Sequence, residues 1–155
     1  MSEEKNSYTR RDSLRLRGFD YSSRRIYFIT IVTSERRELF LDERLARTTI
    51  QCLAELRKRM EFNLYCYCLM PDHLHALIGP GESRKTLGEV VGAFKSLSTR
   101  RHWEWYEGRL WQRQFFDHIM RNERAFEETR AYILQNPVRK GLVASAKEWP
   151  YSGGW

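Results

Sequence analysis

Cysteine is scarce in this 155-residue sequence: Cys52, Cys66 and Cys68 are the whole supply. An odd count without the spacing of a stapled mini-domain excludes a disulfide framework, so reduced and mostly buried thiols are expected. Long apolar runs are also missing. None approaches the ~20 residues of a bilayer span. The opening stretch MSEEKNSYTRRDSLRLRGF has no apolar centre of the signal-peptide kind. No membrane partner is expected, and a cytoplasmic protein is. A Gly-rich loop ending in Lys-Ser or Lys-Thr is absent, which speaks against phosphate-cradling nucleotide hydrolysis. There are no internal repeats and no low-complexity segments.

Acidic residues are in the minority. Twenty Asp and Glu face twenty-seven Lys and Arg, for a net charge of +7. Such an excess points to an anionic partner, usually nucleic acid. With 41% hydrophobic and 14% aromatic residues the chain is built to fold. Its length suits one domain.

Residues 1–17 read as a basic arm, crowded by Arg10, Arg11, Arg15 and Arg17, that either frays or contacts phosphates. Residues 18–155 read as a single domain. IYFITIVT, 26–33, is β-branched and aromatic and predicts a central strand. Asp42 caps a helix running to Met60, with Leu45, Thr49, Cys52, Leu53, Leu56 and Met60 as its apolar stripe. Strands follow at 64–70 and 73–79, joined by a turn at Pro71-Asp72. Leu87, Val90, Val91, Phe94 and Leu97 mark a second helix over 85–102. A fourth strand is expected near 115–120. A last helix, capped by Asn122, is expected to stop at Asn136, because the residue before Pro137 avoids the helical region. The tail, 138–155, reads as irregular. Strand, helix, strand, strand, helix, strand is the order of a ferredoxin-like or RRM-like split βαβ antiparallel sheet, an α+β fold with two helices on one face. The last helix is additional and carries a tyrosine. Such a scaffold hosts many activities, so function has to come from the site.

Four histidines exist, and two stand as His73-Leu74-His75. Alternate residues of a strand share a face. His73 and His75 therefore point one way, and Leu74, Ala76 and Ile78 point the other, toward the helices. Two imidazoles so spaced can grip one metal ion, or they can be a half-buried pair with no ligand. Tyr132 and Asn136 lie four apart and share a helix face. Asn136 could offer a carbonyl oxygen to the same ion, with Tyr132 one turn away. A tyrosine hydroxyl, with a pKa of about 10, is a poor nucleophile at neutral pH. Beside a metal that polarises a phosphodiester it can attack in line and form a covalent phosphotyrosine.

Cys68-Leu-Met-Pro-Asp-His-Leu-His-Ala-Leu-Ile resembles the HUH motif of single-tyrosine transposases. Arg130-Ala-Tyr-Ile-Leu-Gln-Asn-Pro-Val-Arg-Lys-Gly-Leu-Val resembles their tyrosine helix. Trp111-Gln-Arg-Gln-Phe-Phe-Asp-His-Ile-Met-Arg-Asn and Glu148-Trp-Pro-Tyr-Ser look like the REP-associated branch. The resemblance spans roughly 18–152. It implies Tyr132 as nucleophile, and His73, His75 and Asn136 as ligands of a divalent Mg²⁺ or Mn²⁺ ion, with Gln135 the alternative should the helix be turned differently. It implies a 5′-phosphotyrosine formed with single-stranded DNA near imperfect hairpins, in a nucleoid-associated bacterial protein; the REP-associated branch favours a monomer, while the dimers of classical insertion-sequence members, which share tyrosine helices, leave a dimer open.

Further expectations attach to other residues. His118 assists proton transfer, binds DNA or is structural. Lys95, Arg100, Arg101 and Arg113 are candidate phosphate contacts. Cys68, if paired across the hairpin with His75, would permit a Cys–His zinc site. Trp103, Trp105, Trp111 and Trp149 either stack on bases or pack the protein. Two rival functions remain: a non-cleaving hairpin-binding regulator on the same fold, and an RRM-like RNA-binding domain, which would display Tyr27 and Tyr67 on its central strands.

Overall fold

A computed structural model describes residues 25–154. Arg10, Arg11, Arg15, Arg17 and the rest of the expected arm lie outside the described residues. The elements are β1 (Ile26–Val32), α1 (Glu43–Met60), β2 (Asn63–Met70), β3 (His73–Gly79), α2 (Leu87–His102), β4 (Phe116–Met120), α3 (Glu123–Arg139) and β5 (Ser152–Gly153). The strands form one antiparallel sheet in the order β4-β1-β3-β2-β5. Its first four strands have the split βαβ arrangement expected from the sequence.

Alternation along the strands divides the sheet into two faces. Ile29, Ile31, Leu69, Leu74, Ala76 and Ile78 pack under α1 and α2 with Leu53, Leu56, Val91 and Phe94. Burying each of the leucine, isoleucine, valine and phenylalanine side chains contributes roughly 1.5–3 kcal/mol, so this layer dominates stability. The other face carries Cys66, Cys68, Met70 and Leu77, covered by Ile133 of α3. That face therefore has its own apolar core beside the histidines.

The helices begin where short polar side chains accept orphan backbone N–H groups. Asp42 accepts from Arg44 N at 2.9 Å and Asn122 from Ala125 N at 2.8 Å. Thr86 and Glu89 cap each other's backbone in a capping box, which starts α2 two residues later than expected.

Two expectations need correction. α3 does not stop at Asn136 but runs through Pro137 to Arg139. Proline forfeits the bond to the carbonyl four residues back and crowds that carbonyl, but here Asn136 and Pro137 are both buried, and packing outweighs that cost. The tail is also less irregular than expected. Tyr151 O accepts from Leu69 N at 2.8 Å, and Ser152 and Gly153 pair with Cys68 and Tyr67. A strand of two residues has no periodicity to read, yet it shields the exposed edge of β2. Gly154 is required there: a Cβ would stand 2.4 Å from the Tyr65 carbonyl oxygen.

The turn after β1 is strained. Glu35 and Arg36 are consecutive non-glycine residues at φ 58° and 53°. Each costs on the order of 1–2 kcal/mol relative to ordinary backbone. Thr33 holds the turn, donating its hydroxyl to the carbonyls of Arg37 at 2.7 Å and Asp72 at 3.1 Å.

Candidate active site

His73 and His75 lie on the sheet face that α3 partly covers. Their Nε2 atoms face each other at 3.2 Å. His73 directs Nδ1 at the Asp72 carboxylate, 2.7 Å away, and His75 directs Nδ1 at Thr30 Oγ1, 2.9 Å away. Thr30 meets His75 because β1 and β3 pair in that register. His73 donates its Nδ1–H to the carboxylate, which turns its Nε2 lone pair toward His75. In the tautomer in which His75 Nδ1 donates to Thr30, the second Nε2 lone pair faces the first and the two are placed to share a cation. A metal–imidazole bond of about 2.1 Å sets two cis nitrogens about 3.0 to 3.4 Å apart. The pair therefore fits a single ion.

The electrostatics favour the ligand form. Burial pushes the His75 pKa well below the ordinary value, and His73 and Arg139 push it further. Burial also lowers His73, although Asp72 opposes it. Among the described residues there is no cluster of three or more His, Cys, Asp or Glu able to hold a metal. Further ligands would have to be of other chemistry, such as an amide or the substrate.

Tyr132 stands next to this pair. Its ring centroid is 6.0 Å from that of His75 and 6.3 Å from that of Phe28, and the side chain is half exposed. Asn136, one turn on, is buried, whereas Gln135 is exposed. The extra turn of α3 brings Arg139 back over both: its guanidinium carbon sits 4.1 Å from the Tyr132 ring centroid, and Nη2 donates to Asn136 Oδ1 at 3.2 Å. An open pocket of about 250 Å³ is lined by Phe28, Thr30, Arg36, His73, His75, Phe116, His118 and Tyr132, among others. His118 reaches it from β4, opposite Phe28 in the sheet, with its pKa lowered by burial and by Arg121.

Other expected residues are placed elsewhere. Lys95, Arg100 and Arg101 belong to the helical layer, on the opposite face from the histidines. Lys95 donates to the carbonyls of Gln112, Arg113 and Gln114 at 2.8, 2.9 and 3.2 Å, so its ammonium braces the approach to β4. Arg101 pairs with Glu55 at 2.9 Å, and Arg100 donates to Ser96 at 2.6 Å. Arg113 is exposed on the α2–β4 connection. Cys68 does pair across the hairpin with His75, but its thiol is buried in the apolar cluster under α3 and donates to Met70 Sδ at 3.8 Å. Tyr67 is buried in the helix-side core and Tyr27 packs against it, so neither tyrosine expected of an RRM-like RNA binder is displayed on the open face. Trp111 is buried and donates to Ser98, whereas Trp103 and Trp105 are exposed. Thr30, Arg36, Phe28 and Arg139 were not picked out from the sequence. The first three emerge only through strand register and turn geometry, the last only because α3 passes Pro137.

A five-stranded antiparallel sheet bearing paired imidazoles, with a tyrosine helix laid across them, is the architecture of a transposase. Residues 21–136 match the family described as transposase, IS200-like, and the chain belongs to that family. Within it, the chain is 26% identical over 144 residues to a Haemophilus influenzae protein provisionally named REP-associated tyrosine transposase, covering 86% of this chain and 81% of that one. It is 22% identical over 130 residues to the REP-associated tyrosine transposase of Escherichia coli K12, covering 81% and 74%. A solved REP-associated tyrosine transposase bound to a REP hairpin shares the fold with a TM-score of 0.72, at 22% identity, over 83% of this chain and 75% of that one. No helix among the described residues is long and apolar enough to cross a membrane.

Proposed function

We propose that this transposase nicks single-stranded DNA beside a hairpin of the REP kind and rejoins it through a covalent 5′-phosphotyrosine on Tyr132, in the cytoplasm and on nucleoid DNA. The observation that carries this reading is the 3.2 Å approach of two inward-facing Nε2 atoms with a half-exposed tyrosine ring 6.0 Å from one of them. His73 and His75 would hold a divalent ion, Mg²⁺ or Mn²⁺, with Asn136 as the third protein ligand. The bound ion would neutralise phosphate charge and stabilise the pentavalent transition state. Asp72 and Thr30 orient the two imidazoles through their Nδ1 atoms. Tyr132 supplies the oxygen that bonds to phosphorus as the bond from phosphorus to the 3′ oxygen breaks. The phenolic proton leaves and the departing 3′ oxygen gains one. His118, on the pocket wall, is suited to move such a proton. A free 3′ hydroxyl attacking the phosphotyrosine reverses the sequence and joins a new strand, with no nucleotide hydrolysed.

Tyr132 lies beside His75 of its own chain, which supports a monomer acting in cis. The test is a labelled hairpin with single-stranded flanks, incubated with Mn²⁺ and then denatured. DNA fixed to protein by its 5′ end is expected, and none with Tyr132→Phe. A free 5′ phosphate without adduct would instead identify water as nucleophile, and binding without cleavage would favour a regulator. A mixture of His75→Ala and Tyr132→Phe chains should stay inactive. Restored activity would mean that tyrosines are exchanged between subunits.

A further inference from the structure

The strained turn after β1 has no need of strain for chain reversal alone, since glycine would make it freely. Instead two side-chain-bearing residues occupy the left-handed region in succession, at Glu35 and Arg36. The turn is fastened to the β2–β3 hairpin by Thr33, whose N–H donates to Asp72 O at 3.0 Å and whose hydroxyl donates to the same carbonyl. One consequence is that Arg36 forms part of the wall of the pocket that holds His73, His75 and Tyr132. Its Nη1 is 3.7 Å from Asp72 Oδ2, while Oδ1 of the same carboxylate accepts from His73. Asp72 thus links the guanidinium to the imidazole pair. The Arg36 side chain remains 66% exposed, and a 3.7 Å ion pair leaves most of its N–H fork directed at solvent.

We propose that Arg36 is a substrate-binding residue that grips a non-bridging oxygen of the scissile phosphate, from a side of the pocket that Tyr132's helix does not supply. The inference rests on the nickase reading and adds a contact to it. A phosphodiester in this pocket would meet the imidazole-held ion at one oxygen and a planar guanidinium at the other. Arginine suits that second role because its planar fork offers several N–H donors to a phosphate oxygen and never loses its charge. Asp72, bound to His73 and paired with Arg36, ties the guanidinium to the imidazole that would hold the ion. Strained backbone is retained where it aims a side chain at function, and here the aim is into a wall of the pocket built by neither the sheet nor α3.

The test measures coupling between the residue and the phosphate. In a Tyr132→Phe background, where chemistry stops, four affinities are compared with Mn²⁺ present. These are the protein with Arg36 intact and the protein with Arg36→Gln, each with hairpin DNA carrying either a phosphodiester or a neutral methylphosphonate at the scissile position. Neutralising the phosphate should weaken binding about 10- to 100-fold more when Arg36 is intact than in the Arg36→Gln protein, as for a lost charged hydrogen bond. Arg36→Lys should keep part of that difference. Unchanged circular dichroism and thermal midpoint for the Arg36→Gln variant show that the turn survives. Independent effects, with no excess loss in the arginine protein, overturn the inference. If wild-type protein still forms its 5′ adduct, the nickase stands without Arg36. Failure of the Tyr132→Phe protein to bind either DNA removes both.

Discussion

Asp72 works on two neighbours at once. It accepts from His73 Nδ1 at 2.7 Å and faces Arg36 across 3.7 Å. A carboxylate behind a metal-binding imidazole fixes its tautomer and raises its basicity, and removing such a partner typically costs about 10- to 100-fold in metal affinity. Asp72→Asn should therefore weaken Mn²⁺ binding by that order, read by the loss of free-ion EPR signal during titration, while the fold is kept. Affinity equal to wild type would assign Asp72 to the turn alone. At this scale the sequence was informative where one strand suffices. The period of two put His73 and His75 on a common face, and a helical period of 3.6 put Tyr132 and Asn136 together. Thr30 was illegible because its role depends on the register between β1 and β3. Arg36 was illegible because nothing in Ser-Glu-Arg-Arg announces two left-handed residues.

Among the elements, β2 runs buried between the helical layer and α3. Its Cys66 and Cys68 face α3, and burial pushes their thiols up from 9.0 to about 11 and about 12. A folded-state pKa above the unfolded value means that, above pH 9, the native chain holds protons the unfolded chain has released. Unfolding then releases protons, so stability falls as pH rises through 9 toward 11 and 12. The slope is at most about 1.4 kcal/mol per pH unit for each thiol. Urea unfolding at pH 8.5 and 10.5 should show this loss, and the Cys66→Ala, Cys68→Ala protein should show a flatter one even though it starts less stable. Parallel slopes would mean that other groups govern alkaline unfolding. The main elements were legible because each combines a clear period with a capping or turn residue. The end of α3 and the presence of β5 were not. The first is decided by burial of Pro137, the second by an open strand edge that only the assembled sheet creates.

At the scale of the whole molecule, a net charge of +7 matters less than its distribution. The helical layer cancels much of its own charge: Arg44 pairs with Asp42, Arg47 with Glu43, and both Arg59 and Arg101 with Glu55. On the other face, Arg36 and Lys140 both act to discharge His73, and Arg139 and Lys140 act to discharge His75. Asp72 opposes them at His73 and pairs with Arg36, and Arg139 and Lys140 add positive charge to this side of the pocket, where a nucleic-acid backbone would release condensed counterions on binding. The logarithm of DNA affinity should fall linearly with the logarithm of salt concentration. Each phosphate contact removed should flatten that line by about 0.7 for single strands and about 0.9 for duplex. Arg36→Gln and Lys140→Gln should each do so. Arg100→Gln and Arg101→Gln should leave the slope alone, because both arginines lie on the far face, Arg101 paired with Glu55 and Arg100 bound to Ser96. The reverse pattern, with the helical-layer substitutions flattening the line and the pocket substitutions not, would put the DNA on α1 and α2 and leave the histidine face without a substrate.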